Sequence, residues 1–162
     1  MKKELRDALV EQFNFELESG YIYKAMELYF ELENMKGFAH FMNRQAAEEA
    51  EHAFKLYHFL LEMDEEPEYK EIPKPDTKGF KGFKEVFQLA YEHEQEVSKR
   101  IRKIYELAKK EEAHEVEIFM QWYVKEQVEE EDTFRDILTT MERINNNWGG
   151  LFIYDRELGQ RQ

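Results

Sequence analysis

Four long segments of the chain repeat apolar residues every three or four positions, the spacing of one face of an α-helix at about 100° per residue. The stripe of the first runs Leu9, Phe13, Glu16, Gly20, Tyr23, and that of the second Phe38, Met42, Gln45, Glu49, His52, Leu56, Phe59, Met63. The third reads Phe83, Phe87, Ala90, Glu94, Val97, Ile101, Ile104, and the fourth Val116, Met120, Tyr123, Gln127, Glu130, Phe134, Ile137, Met141. These stripes predict helices over about Lys3 to Asn34, Gly37 to Met63, Phe83 to Lys110, and from just after Lys109-Lys110-Glu111-Glu112 to Ile144. Asn145-Asn146-Asn147 and Gly149-Gly150 break the fourth. A short fifth helix is predicted over Leu151 to Leu158, within about 149–160.

The connections arrange these helices. Short turns at Asn34-Met35-Lys36-Gly37 and at Lys109 to Glu112 make two antiparallel hairpins. The stretch between them, Asp64 to Gly82, is non-periodic and holds all three prolines. At about 3.3 Å per extended residue it reaches roughly 60 Å, against roughly 40 Å for one of these helices. A loop that long joins two hairpins by crossing the length of a bundle. The fold expected is all-α: an antiparallel four-helix bundle over about 3–144 plus a short fifth helix, one domain spanning 1–162.

Composition narrows the chemistry. The 162 residues contain no cysteine, which excludes disulfides, thiolate metal sites and a cysteine nucleophile. A formal net charge of −13 disfavours nucleic acid and anionic lipid as partners and favours cations. The first residues carry basic side chains without an apolar signal-peptide core, and no later run is uniformly apolar, so no membrane partner is expected and the default compartment is cytoplasmic.

Every stripe is interrupted by acidic or amide residues, and every interruption falls near mid-helix. In a bundle of similar helices these breaks lie at one height and face one another. Glu16, Glu49, Glu94, Glu130, His52 and Gln127 would then be buried together with no Arg or Lys on the same faces. An isolated buried carboxylate costs several kcal/mol or takes up a proton, so a cation is the expected compensation. Hard oxygens with one imidazole suit iron, manganese or zinc. Glu49 and His52 are three residues apart, one helical turn, which aims a carboxylate and an imidazole at one ion.

Each residue also has a plainer reading. A single Glu-x-x-His in a Glu-rich helix is ordinarily surface, and His40, His58, His93 and His114 fall off the stripes and read as solvated. Glu131 and Asp132 read as a solvated face, Met42, Met63, Met120 and Met141 as core, and Tyr23 as an ordinary core aromatic. The coincidence of breaks across four helices favours the metal site.

The stretches EQFNFELESGYIY around Glu16 and Tyr23, QAAEEAEH ending in His52, YEHEQ around Glu94 and QWYVKEQVEEE around Gln127 resemble, in this order and at these separations, the non-haem bacterial ferritins. The resemblance covers nearly the whole chain. It implies a di-iron centre in each subunit, with Glu16, Glu49 and His52 as ligands of the first iron. Glu94, with Glu49 as the bridge, belongs to the second, completed by Gln127 or Glu130. It further implies a third iron site at Glu48, Glu126, Glu129 and Glu130, and a role for Tyr23 in supplying electrons to oxygen, with Trp122 in the same string. Glu126 is followed at i+3 by Glu129, so a bacterioferritin-type centre is not expected. Ala50 stands where haem-binding relatives carry methionine, so no haem is expected.

The function implied is a ferroxidase and iron store. Fe²⁺ is oxidised by dioxygen or peroxide, and the ferric product is kept as mineral inside a closed homo-oligomeric shell, implied to have 24 subunits. Two other readings stand beside it: a stand-alone di-iron oxidase or peroxidase of small substrates, and a non-enzymatic metal-binding helical assembly. Leu151-Phe152-Ile153-Tyr154, four large apolar residues beyond a complete bundle, are expected to face other subunits, the alternative being that they fold back over their own bundle.

Overall fold

The computed structural model describes residues 1–162 as five helices: α1 (Lys3–Leu32), α2 (Lys36–Glu62), α3 (Phe83–Lys110), α4 (His114–Ile144) and α5 (Trp148–Leu158). Their ends follow from local backbone chemistry. Helices α1, α2 and α3 each stop two residues before a left-handed residue, Asn34, Asp64 and Glu112, with φ of 58°, 58° and 55°. The next backbone N–H then reaches back to an orphan carbonyl, as in Met35 to Phe30 O at 2.8 Å and Ala113 to Ala108 O at 2.9 Å. Helix α4 ends instead in two successive left-handed residues, Asn145 and Asn146, after which the Asn147 N–H reaches Ile144 O at 3.1 Å, and the side chain of Asn147 caps α5 by accepting the Gly150 N–H at 3.1 Å.

Register follows from which residues meet. Residues early in α1, Leu5 and Leu9, share a cluster with Ile101 and Ile104 late in α3, whereas Tyr23 pairs with Glu94, so α1 and α3 run antiparallel. Gln45 of α2 reaches Glu130 and His52 meets Tyr123, so α2 and α4 are antiparallel too. The stretch between α2 and α3 runs along α1. Asn14 pins its start, donating to Glu68 O at 2.8 Å and accepting from the Lys70 N–H at 2.8 Å. Tyr29, about 22 Å further along α1, accepts the Gly82 N–H at 3.0 Å at its end.

The interior is three layers deep along the bundle axis. One apolar cluster holds Tyr23, Phe30, Phe38, Met42, Phe87 and Phe134; the other holds Leu9, Phe13, Leu56, Ile101, Met120 and Tyr123. Burying each such side chain contributes about 1.5–3 kcal/mol, and the two clusters clamp whatever lies between them. What lies between them is the polar layer.

Three expectations are corrected here. Gly37, read as the last residue of the turn and the start of the second helix, lies inside α2, where α5 crosses so closely that a Cβ would sit 1.6 Å from Asp155 O. Helix α5 begins at Trp148 rather than Leu151, since Asn147 supplies the cap. It also folds back on its own bundle by one face only. Leu151 and Tyr154 are buried, while Phe152 and Ile153 stay 65% and 69% exposed. No helix is long and apolar enough to cross a membrane.

Candidate metal centre

The polar layer is built by all four bundle helices. Glu16 comes from α1, Gln45, Glu49 and His52 from α2, Glu94 from α3, and Gln127 and Glu130 from α4; all are buried. Three sets of potential ligand atoms converge: Glu16 with Glu49 and His52, Glu49 with Glu94 and Glu130, and His52 with Glu126 and Glu130. Within each set the atoms lie within 4.8 Å of one another. Glu49 is common to the first two sets, and Glu130 to the last two.

Hydrogen bonds fix these carboxylates but do not saturate them. Gln12, one turn before Glu16, donates to Glu16 Oε1 at 2.8 Å. Gln45 Nε2 donates to Glu49 Oε1 at 3.1 Å and to Glu130 Oε2 at 2.8 Å. Glu94 is held on both oxygens, by the Tyr23 hydroxyl at 2.5 Å and by Gln127 Nε2 at 3.0 Å. That leaves Glu16 Oε2 and Glu49 Oε2 buried with no hydrogen-bond partner. Such orphaned anionic oxygens are rare in protein interiors and fit a cation that both can bind. His52 is flanked on both ring nitrogens, with Nδ1 3.4 Å from Glu49 and Nε2 3.7 Å from Glu126. Its backbone carbonyl accepts the Tyr123 hydroxyl at 2.6 Å, which ties α2 to α4 at this height.

Burial in this layer disfavours the ionised form of several of these carboxyls. Burial, then the neighbouring charges of Glu94 and Glu16, raises Glu49 well above the usual carboxylate range. Burial also raises Glu94, and burial followed by the charge of Glu94 pushes Glu130 up to about 8. Burial, then the charge of Glu94, holds the Tyr23 phenol neutral, so it donates rather than accepts.

The residues singled out in the sequence divide three ways. Glu16, Glu49, His52, Glu94 and Glu130 meet in the inner sets, and Glu126 joins His52 and Glu130 in the outer one. Gln127 directs its amide nitrogen to Glu94 and to Ser98 Oγ, whereas Glu130 offers a carboxylate to the cluster. Glu48 pairs with Arg161 at 2.8 Å, and Glu129 is exposed and belongs to none of the three sets. Trp122 is half-exposed, its ring edge-on to His52 at 5.3 Å.

Four readings of individual side chains change. An arginine does reach the acids, because Arg161 arrives from beyond α5 rather than from a bundle stripe. His93 is not solvated: its ring stacks on Phe15 at 5.2 Å, and its Nε2 lies 2.7 Å from Ser19 Oγ. Burial, then the charge of Arg100, lowers its pKa to about 4. His40 is half-buried against Arg161 O at 2.6 Å, whereas His58 and His114 are exposed as expected. Glu131 is partly covered and accepts from Ser98 Oγ at 2.8 Å. Gln12 and Gln45 were the polar residues whose roles sequence reasoning missed. Both lie one turn before a cluster glutamate, a spacing that marks them.

Comparison with known proteins places the chain as a whole. A family model described as a ferritin-like domain matches residues 6–144. A bacterial non-heme ferritin of Staphylococcus haemolyticus is 35% identical over 161 residues, covering 99% of this chain and 96% of the relative. One from Staphylococcus aureus strain USA300 is 32% identical over the same share of each. An open pore ferritin from the hyperthermophilic archaeon Archaeoglobus fulgidus superposes with a TM-score of 0.98 at 34% identity, covering 100% of this chain and 99% of the other. A humanized archaeal ferritin superposes with the same TM-score at 36% identity, covering 100% and 98%. With the family model spanning the four-helix bundle, and relatives aligned end to end, the chain belongs to the ferritin family.

Proposed function

We propose that this chain stores iron and is a ferroxidase, oxidising Fe²⁺ at a pair of sites inside each bundle and passing the ferric product to a mineral held within a closed shell. The observation that carries this reading is the sharing of Glu49. One buried carboxylate stands in two ligand sets, Glu16–Glu49–His52 and Glu49–Glu94–Glu130, so two ions bound there would be bridged by one side chain. A redox pair held together can deliver two electrons to one oxidant molecule, which a single Fe²⁺ cannot. In this reading Glu130, rather than Gln127, completes the second set, and Gln127 orients Glu94.

The side chains do four things in the reaction. The carboxylates bind the substrate ions through hard oxygens and favour the ferric product, because anionic ligands stabilise the higher charge. The protons that burial favours on Glu49 and Glu130 leave as Fe²⁺ binds. Tyr23 holds Glu94 through its hydroxyl and stands as a neutral phenol beside the pair, placed to give an electron to the oxidant. The apolar clusters above and below keep bulk water from the layer. Each Fe²⁺ loses one electron; dioxygen accepting two of them with two protons becomes hydrogen peroxide, which can in turn oxidise a further pair.

The outer set, His52, Glu126 and Glu130 with Glu48 and Glu129 nearby, is proposed as a third iron site. The exposed Phe152 and Ile153 on α5 support assembly with other copies, and family membership supports a 24-subunit cytoplasmic shell. No haem is part of this reading, and residues 1–162 act as one domain. The test is Fe²⁺ addition to the metal-free protein with Glu49→Ala alongside. The unsubstituted protein should show fast oxygen uptake, and the variant should lose the fast phase while staying helical and assembled. An unchanged fast phase in the variant would remove Glu49 as the bridge.

A further inference from the structure

The end of α5 and the residues after it lie along the first half of α2. Asp155 Oδ1 accepts the Phe38 N–H at 2.8 Å, at the start of α2. Gly159 passes so close that a Cβ there would be 3.1 Å from Gly37 Cα. His40 Nε2 meets Arg161 O at 2.6 Å. The guanidinium of Arg161 then spreads over the rim of the acid layer. It donates to Phe41 O at 3.2 Å and Gln45 Oε1 at 3.0 Å, pairs with Glu48 Oε2 at 2.8 Å, and lies 4.3 Å from the centre of the Phe41 ring. Its side chain is only 18% exposed, so this is a built location rather than a swinging surface charge.

The partners of Arg161 are those a metal ion would compete for. Glu48 lies one turn before His52 and, drawn to the guanidinium, is absent from the outer His52–Glu126–Glu130 set. Gln45 receives Arg161 on its oxygen and therefore turns its nitrogen to Glu49 and Glu130. One planar fork thus satisfies a carboxylate and an amide that both border the outer set, which a lysine's single ammonium does less completely.

We propose that Arg161 is a positioning residue that competes with the outer metal ion for Glu48, so that this ion binds weakly and its arrival releases the segment after α5 from α2. The proposal rests on reading the glutamate sets as metal sites. A weak outer site suits an ion that must move on. The arginine holds the carboxylate while no ion is present, and withdraws when one is.

The experiment uses Zn²⁺, which is redox-inert, titrated calorimetrically into the full-length, assembled, metal-free protein and into Arg161→Gln and Arg161→Lys. Arg161→Gln should bind the last ion about tenfold more tightly, about 1.4 kcal/mol, whereas Arg161→Lys should stay nearer the unsubstituted protein. Hydrogen exchange of the unsubstituted protein supplies a readout free of any substitution: the amides of Gly159, Gln160 and Arg161, which follow α5, should exchange faster once the last ion is bound. Superposable isotherms, a weaker last ion in Arg161→Gln, or unaltered exchange on saturation would each overturn the proposal. Failure of the unsubstituted protein to bind Zn²⁺ at the inner sets would instead overturn the metal reading on which it rests.

Discussion

The hydroxyl of Tyr23 donates to Oε1 of Glu94 at 2.5 Å, joining α1 to α3 inside the polar layer. Both residues are fully buried, so the bond is made out of reach of water and neither partner has a solvent alternative. The phenol is held neutral by burial and by the charge of Glu94, which makes it a dependable donor.

Tyr23→Phe removes that donor and leaves Glu94 Oε1 without it. The metal-free protein should lose about 1–2 kcal/mol of stability, the cost of stranding a buried acceptor, read from chemical denaturation monitored by circular dichroism. Oxidation of Fe²⁺ should slow in stopped-flow absorbance without being abolished, since every ligand of the inner sets remains. A variant that oxidises iron at the original rate would take Tyr23 out of the electron path.

Glu49→Gln keeps the shape of the side chain shared by the first two ligand sets and removes its ability to ionise. Fast oxidation should disappear, while the metal-free protein should unfold at an equal or higher temperature, because an amide carries none of the penalty that burial and neighbouring anions place on ionising this carboxyl. Differential scanning calorimetry reads the second half of this expectation. A large drop in the unfolding temperature would mean that the carboxylate supports the metal-free fold.

Glu130 faces Gln45 and the charges of Glu94, Glu48 and Arg161, and its pKa is pushed up to about 8. Glu49 and Glu94 are raised as well. In the unfolded chain all three ionise near 4.3, as ordinary glutamates do. Between about pH 4.3 and about pH 8 the folded metal-free protein therefore binds more protons than the unfolded chain, and its stability falls as pH rises through that window. Thermal unfolding of the metal-free protein across this range should show the decline. Zn²⁺ binding at pH 7 should release protons, seen as a dependence of calorimetric heat on the buffer's ionisation enthalpy. A rise in stability over the window, or heats independent of buffer, would contradict the assignment.

Glu126 and Glu129 are both on α4, yet only Glu126 meets His52 and Glu130. Glu126→Ala should change the ratio of iron oxidised to oxygen consumed more than Glu129→Ala does, measured with an oxygen electrode. Equal effects would place Glu129 in the outer site despite its exposure.

Much of this arrangement was legible in the stripes. The eight residues read on the fourth helix, Val116 to Met141, are the eight that α4 buries, because a long helix between two apolar clusters obeys its periodicity. The mid-helix height of Glu16, Glu49, Glu94 and Glu130 could be read for the same reason. Arg161 could not: it reaches Gln45 and Glu48 across 116 and 113 sequence positions (161 − 45 and 161 − 48), and no local pattern encodes where a segment beyond the last helix comes to rest. His93 was misread because it sits beside the stripe rather than on it, where the ring of Phe15 covers it. Gly37 looked like turn punctuation because its reason is the close approach of Asp155.

Helix α5 makes a separate claim. Leu151 and Tyr154 are spent on its own bundle, which leaves Phe152 and Ile153 as the face available to other copies. Truncation before Gly149 should impair assembly or iron retention in sedimentation velocity, and Phe152→Asp with Ile153→Asp should do so while leaving the buried face of α5 in place. Intact, mineral-retaining shells in both would show that this contact is dispensable.

The account stands or falls on whether oxidation at the buried pair feeds a store. The direct measurement is to add excess Fe²⁺ in air to the metal-free protein, record oxygen uptake, and then separate the products by size-exclusion chromatography with iron analysis of each fraction. The account predicts rapid oxygen uptake and ferric iron co-eluting with a large assembly, in amounts far beyond what the three ligand sets hold. A monomer or dimer that consumes oxygen but retains only the few ions its ligand sets can bind would contradict storage and leave a stand-alone di-iron oxidase; no oxygen uptake at all would contradict the ferroxidase itself.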